Sequence, residues 1–259
     1  MTNRNIRLTL QYDGTAYIGW QRQPAYRGVS VQETLEKTLA RILRHPVCLD
    51  ASGRTDAGVH AFAQVANFHT NNPIPCRGLK LALYHQLPPD ILVYEVMEAP
   101  EDFHARLCAK GKTYRYCLSM SRLPLWSRNL AWGLDKKLDI GLMRQAAAYF
   151  LGEHDFQAFT VTSCRAKSYI RRIEKIDIWE PGQATNEHLW KNIPERILIE
   201  VTGNGFLQKM VRLMVARLVE VGKGELPPEA IAEYLAGIKK EPTVPAPPQG
   251  LMLWKAHYN

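Results

Sequence analysis

The order of strand-like and helix-like stretches predicts an α+β chain of two successive β-α-β-β-α-β halves with a mostly antiparallel sheet. Three observations predict it. Short runs alternate apolar with polar residues, the pattern of half-buried strands. Other stretches space their apolar residues as one face of a helix. The order strand, helix, strand, strand, helix, strand also comes twice, over residues 1–102 and again, with longer insertions, over 103–259.

In the first half, Ile6, Leu8, Leu10 and Tyr12 alternate with Arg7, Thr9 and Gln11, a strand ended by Asp13-Gly14. Tyr17-Ile18-Gly19-Trp20-Gln21-Arg22-Gln23 then mixes aromatics, amides and an Arg, which suits stacking on bases and bonding to phosphate. Trp20 fits equally well as a cap on the core. Ser30-Val31-Gln32-Glu33 forms a capping box, and Val31, Leu35, Leu39 and Ile42 mark one helix face that stops before Pro46. Val47, Leu49 and Ala51 make a short strand, and Ala63 to Phe68 the next. Leu79 to Leu87 reads as a helix stopped by Pro88-Pro89, followed by a strand from Ile91 to Val96. This order is that of a ferredoxin-like unit, with helices on one face of an antiparallel sheet.

In the second half, Lys110 to Cys117 is strand-like, with Tyr114 and Tyr116 on one face and Arg115 on the other. Two aromatics beside several cations can form a stacking platform for bases, and Tyr is also an ordinary core residue of strands. Ile140 to Leu151 reads as a helix ended by Gly152, and residues 155–159 as irregular. Ser168 to Trp179 and Arg196 to Val201 are strands joined by a polar connection. After Gly203-Asn204-Gly205 comes a long helix from Phe206 to about Val221, then a short one from Pro228 to Leu235. Pro242 to Pro248 is extended, and Leu251 to Lys255 is the last strand. Two ferredoxin-like halves, 1–102 and 103–259, are thus expected to share one extended sheet, with the substrate cleft between them.

The chemistry concentrates between two strands of the first half, in Ser52-Gly53-Arg54-Thr55-Asp56-Ala57-Gly58-Val59-His60-Ala61. Gly53 and Gly58 permit sharp turns, so the polar side chains between them are presented on a tight loop. Asp56 is its only acid, and Arg54 two residues away suits a carboxylate that stays ionised. A hairpin turn with a surface ion pair has the same composition. In the long helix of the second half, Arg212 interrupts an apolar run of Leu207, Val211, Met214, Val215 and Leu218. A guanidinium there needs a carboxylate partner, for which Asp56 is a candidate, or a bound phosphate, unless it snorkels to water.

The totals agree with a nucleic-acid partner. The chain has 259 residues, 33 basic and 25 acidic, and a net charge of +8. Its five cysteines form no C-x-x-C pair, which argues against a zinc site and a disulfide framework and fits a cytoplasmic protein. The first residues lack the apolar region of a signal peptide, and no run has the length of a membrane span. No acidic cluster of the kind a metal-dependent nuclease uses surrounds Asp56. Arg4, Arg7, Lys110, Lys112, Arg115, Arg165, Lys167, Arg171 and Arg172 are candidate backbone contacts.

Together these stretches resemble the tRNA pseudouridine synthases of the TruA type over nearly the whole chain. The resemblance runs through Tyr12-Asp13-Gly14, Gly19-Trp20-Gln21-Arg22-Gln23, Ser30 to Glu33, Gly53 to Ala61, Phe103-His104-Ala105-Arg106, Tyr114-Arg115-Tyr116, His154-Asp155-Phe156, Phe206-Leu207, Met210-Val211-Arg212 and Gly250 to Leu253. The nine residues from Gly53 to Ala61 are the most specific part. The resemblance implies an isomerase without cofactor or metal that converts uridine to pseudouridine at tRNA positions 38, 39 and 40, in the anticodon stem-loop. It implies a homodimer in which one tRNA contacts both subunits. It gives Asp56 as the catalytic carboxylate, Arg212 as its basic partner, and Tyr114, with Tyr116 as the alternative, as the aromatic that stacks on the uracil. Arg54 matches the Arg associated with holding the flipped nucleotide. Trp20, Gln21, Arg22 and His60 are the further candidate substrate contacts. Ala216-Arg217, Tyr84 and Leu107-Cys108 depart from the family pattern. A non-catalytic basic RNA-binding protein is the alternative, although a carboxylate among cations does nothing for a pure binder.

Overall fold

The computed structural model describes residues 3–184 and 187–258. The chain is a mixed α+β protein with ten strands, mostly antiparallel, and five α-helices among the described residues. It divides into two compact units, Met1–Lys110 with Leu253–Asn259, and Gly111–Met252. No helix among the described residues is long and apolar enough to cross a membrane.

The first unit follows the expected order: β1 (Arg4–Tyr12), α1 (Val31–Leu43), β2 (Asp50–Ala51), β3 (His60–Thr70), α2 (Cys76–Gln86) and β4 (Ile91–Ala99). Its strands lie side by side as β4-β1-β3-β2, and every neighbour is antiparallel. That is the pairing a ferredoxin-like unit requires. α1 starts where the capping box places it, with the Ser30 hydroxyl accepting from the Glu33 amide at 3.2 Å. The reciprocal half of the box is replaced, because the Glu33 carboxylate pairs with Lys37 one turn on, at 2.6 Å. α2 packs on β4 and α1. Ile6, Leu8 and Leu10 of β1, Leu35 and Leu39 of α1, and Leu79 and Leu83 of α2 are buried in the core.

Two differences in this unit bear on the site. The expected strand from Val47 shrinks to Asp50–Ala51, while β3 starts at His60 and so reaches the end of the Asp56 loop. The β1–β3 register also shifts between Leu10, opposite Gln64, and Tyr12, opposite Ala61. This bulge brings Tyr12 and the turn after it alongside the loop.

The second unit contains β5 (Gly111–Ser119), β6 (Trp132–Gly133), α3 (Ile140–Ala148), β7 (Gly152–Asp155), β8 (Ile170–Trp179), β9 (Arg196–Gly203), α4 (Met210–Gly222) and α5 (Ala230–Leu235). Its strands run β5-β9-β8-β7, with the short β6 parallel to β5. α3 packs on α4 and on β8. The chain passes back to the first unit within β10 (Leu251–His257). β6 and β7 were not expected from the sequence. The long helix begins at Met210 instead of Phe206, because Lys209 takes a left-handed conformation at φ 61°. The polar connection between β8 and β9 includes two positions outside the described residues.

Candidate active site

Asp56 lies half-buried on the loop between β2 and β3, and the loop is anchored from both sides. On one side Gln64 of β3 reaches across. Its amide accepts from the Ser52 hydroxyl at 2.6 Å and donates to the Gly53 carbonyl at 2.8 Å. The Ser52 amide also donates to the Val65 carbonyl at 2.8 Å. On the other side the Tyr12 hydroxyl, at the end of β1, bonds the Thr55 hydroxyl at 2.8 Å. Burial pushes the Tyr12 phenol well above its ordinary value, against the hydrogen bonds to Thr55 and Gln64. Tyr12 therefore serves as a neutral hydrogen-bonding group.

The backbone completes the frame. The Trp20 amide donates to the Thr55 carbonyl at 3.0 Å, and the Gly58 amide to the Tyr17 carbonyl at 3.3 Å. The Val59 amide closes a turn onto the Asp56 carbonyl at 3.1 Å. Gly58 takes a positive φ of 75°, as a tight turn demands, whereas Gly53 does not. Gly19 is needed for approach. A Cβ there would stand 2.6 Å from the Thr55 carbonyl oxygen. The carboxylate-bearing loop is thus held through residues before and after Asp56.

The other candidates of this unit separate by exposure. Arg54 is exposed and Gln21 half-buried. Arg22 is 63% exposed, within 3.4 Å of Glu36, and its amide donates to Gln32 at 3.1 Å. Trp20 is buried, with its ring 6.1 Å from that of Tyr12, the arrangement of a core cap. His60 is buried at 2% exposure and turns its Nδ1 toward the Asp13-Gly14 turn.

In the second unit, Tyr114 and Tyr116 lie on one face of β5 but differ in surroundings. Tyr116 is fully buried. Its hydroxyl donates to the Pro247 carbonyl at 2.7 Å, and a Cβ on Gly250 would stand 2.5 Å from its ring. Burial raises its phenol well above the ordinary value, and the nearby Arg212 charge opposes that shift. Arg212, half-buried on α4, donates through Nε to the Ala246 carbonyl at 2.6 Å, while the Ala246 amide donates to the Arg212 carbonyl at 3.1 Å. The extended Pro-rich segment is thereby fastened to both α4 and Tyr116. Tyr114 keeps 7% of its surface and meets Phe206 edge to face at 5.1 Å between centroids.

Several cations expected as backbone contacts have internal partners. Arg115 is buried against Glu200 on the facing strand at 2.7 Å, beneath the Trp179 ring. Arg4 pairs with Glu98 at 2.6 Å and donates to the Asn72 and Ile74 carbonyls. Arg7 stacks on Phe103 and Tyr258. A buried strand position can hold a cation only with such partners. Lys110, Arg165, Lys167 and Arg172 stay exposed. The sequence reading missed Tyr12, Gly14 and Gln64 as supports of the loop. The Tyr12-Asp13-Gly14 triplet is a signal, being both the end of a strand and part of the family resemblance, but neither reading connects it to the loop.

Comparison with known proteins bears on this arrangement. A family model described as tRNA pseudouridine synthase matches residues 9–107 and 146–259. The chain is similar to tRNA pseudouridine synthase A of Geobacter sulfurreducens, with 44% identity over 258 residues that cover 98% of this chain and 100% of that protein. It is 44% identical over 259 residues to tRNA pseudouridine synthase A of Geobacter sp. strain M21, covering 98% and 99%. It is 43% identical over 256 residues to that of Syntrophotalea carbinolica, covering 98% and 96%.

Proposed function

This chain belongs to the tRNA pseudouridine synthase family, and from that premise we propose that it isomerises uridine at positions 38, 39 and 40 of the anticodon stem-loop, with Asp56 as the catalytic carboxylate. The observation that carries the proposal is the half-buried Asp56 on a loop braced from both sides.

The reaction breaks the bond between ribose C1′ and uracil N1, turns the base and joins C1′ to C5. The C5 proton passes to water and N1 gains one. Atoms and electrons balance, so the proposed route calls on no cofactor. Asp56 can attack uracil C6, attack ribose C1′, or remove a ribose proton so that the reaction passes through a glycal. Each route starts from the carboxylate, and Arg212 is the proposed cationic partner. The uridine must leave its stack to be reached, and stacking on an aromatic ring offsets part of that cost. Arg54, exposed on the same loop, is the proposed holder of the displaced nucleotide. Gln21 and Arg22 are proposed contacts to the RNA. A homodimer in which each tRNA meets both copies is part of the same proposal. A protein that only bound RNA would gain nothing from a carboxylate here, since it repels phosphate.

Tyr114 is the proposed stacking residue, because Tyr116 is fully buried and tied to Pro247. Tyr114→Ala is expected to lower turnover about 10- to 100-fold, the equivalent of about 1–3 kcal/mol of base stacking. Tyr116→Phe is expected to keep turnover within about threefold and to cost about 1 kcal/mol of stability through the lost hydrogen bond. Single-turnover rates and denaturant melts of the two variants check this. The site assignment is tested with tRNA transcripts in which U38, U39 and U40 are replaced singly by cytidine. Pseudouridine should disappear at the replaced position alone. Pseudouridine formed only outside the anticodon stem-loop would overturn the assignment.

A further inference from the structure

We propose that His60, joined to the Asp13-Gly14 turn, is a positioning residue that holds the Asp56 loop in place for catalysis, acting through the loop and not by touching RNA. The inference rests on the reading of Asp56 as the catalytic carboxylate. His60 stands four residues after Asp56, opens β3 and is 2% exposed. Its Nδ1 lies 3.1 Å from the Gly14 amide nitrogen and 3.2 Å from the Asp13 carboxylate. One nitrogen cannot serve both at once. Unprotonated, it accepts from Gly14; protonated, it donates to Asp13. Either way the ring is tied to the same turn.

The turn is fitted to the loop at two further points. A Cβ on Gly14 would stand 2.0 Å from the Val59 carbonyl oxygen, so the two backbones are in direct contact just before His60. The Tyr17 carbonyl accepts from the Gly58 amide at 3.3 Å. The turn is itself fixed to the connection before β4. The Asp13 amide donates to the Asp90 carbonyl at 2.9 Å, and the Tyr17 hydroxyl to the Asp90 carboxylate at 2.7 Å. A chain of bonds therefore runs from Asp90 through residues 13–17 to residues 58–60, and the Val59 amide bonds the Asp56 carbonyl. A histidine that merely filled the core would need no carboxylate. Asp13 is half exposed, yet the hydrogen bond from His60 holds its carboxyl well below the usual range. Thr15 adds two shorter contacts, at 2.9 and 2.6 Å.

The test measures single-turnover rate at saturating tRNA, tRNA Kd and melting temperature for wild type, His60→Leu, His60→Asn, Asp13→Ala and Asp56→Asn. A displacement of about 1 Å at a catalytic group costs about 100-fold. His60→Leu is therefore expected to lose about 10- to 100-fold in rate with Kd within about threefold. His60→Asn puts an amide where Nδ1 stood and is expected to recover at least about tenfold of that loss. Asp13→Ala, at a half-exposed carboxylate, is expected to lose about fivefold in rate with unchanged Kd and a modestly lower melting temperature, because its bonds to Thr15 and His60 go with it. Asp13→Ala decides the matter if His60→Leu does not fold. A wild-type rate in Asp13→Ala would overturn the proposal in that case. Weaker tRNA binding with an unchanged saturated rate in His60→Leu would also overturn it, by making His60 an RNA contact. Turnover by Asp56→Asn would sink the reading of the catalytic carboxylate. An inactive Asp56→Asn beside wild-type rates in His60→Leu and Asp13→Ala would sink the positioning proposal alone.

Discussion

Asp56→Asn is expected to abolish pseudouridine formation, by about 10⁴-fold or more, while tRNA binding persists. Asn matches the shape of the carboxylate and keeps a carbonyl oxygen, but it can neither act as the nucleophile nor take a proton. The loop anchors run through Thr55, Gly58, Val59 and the Asp56 backbone, so the substitution leaves them in place. Removing a negative charge near the RNA should leave Kd unchanged or slightly lower. Nucleoside mass spectrometry after a prolonged single-turnover incubation gives the rate, and filter binding gives Kd. Loss of both together would mean that the variant is misfolded or that the site only binds.

Gly14→Ala is expected to have the largest effect on stability. The added methyl would stand 2.0 Å from the Val59 carbonyl oxygen and 2.6 Å from its carbon, both backbone atoms flanking the catalytic loop. Ordinary carbon contacts begin near 3.5 Å, so the turn or the loop must move by more than about 1 Å. Overpacking of this kind costs about 3 kcal/mol, and a loop displaced that far loses about 100-fold in rate. Denaturant melts and single-turnover rates check both effects. Gly78→Ala is the control. Gly78 lies in α2 without a positive φ, and the nearest atom to its added Cβ is 3.5 Å away. That change should be neutral or stabilising by about 0.5–1 kcal/mol.

Local patterns carried much of the fold. Ser30 caps α1 as its spacing to Glu33 implies, and the alternation from Ile6 to Tyr12 is β1. What failed was decided at a distance or by a single backbone angle. β7 is four residues, Gly-Glu-His-Asp, with no apolar side chain to alternate, and it exists through its pairing with β8. α4 starts late because Lys209 is left-handed. Arg115 looked like a surface cation because the sequence around it is basic, but its partner Glu200 lies 85 residues away. The candidate carboxylate was legible, since Gly53 to Ala61 places an acid, an Arg and a His on one loop. Its supports were not. Tyr12 meets Thr55 across 43 residues and Gly14 meets His60 across 46, separations that periodicity does not reach.

The most direct measurement of the central claim follows tritium from C5 of uridine in an unmodified tRNA transcript. Joining C5 to C1′ expels that tritium into water, and hydrolysis or simple binding does not. The account predicts release by the wild type, one equivalent for each uridine present at positions 38, 39 and 40, and none by Asp56→Asn. Equal release from a transcript with cytidine at all three positions, or release by Asp56→Asn at the wild-type rate, would contradict it.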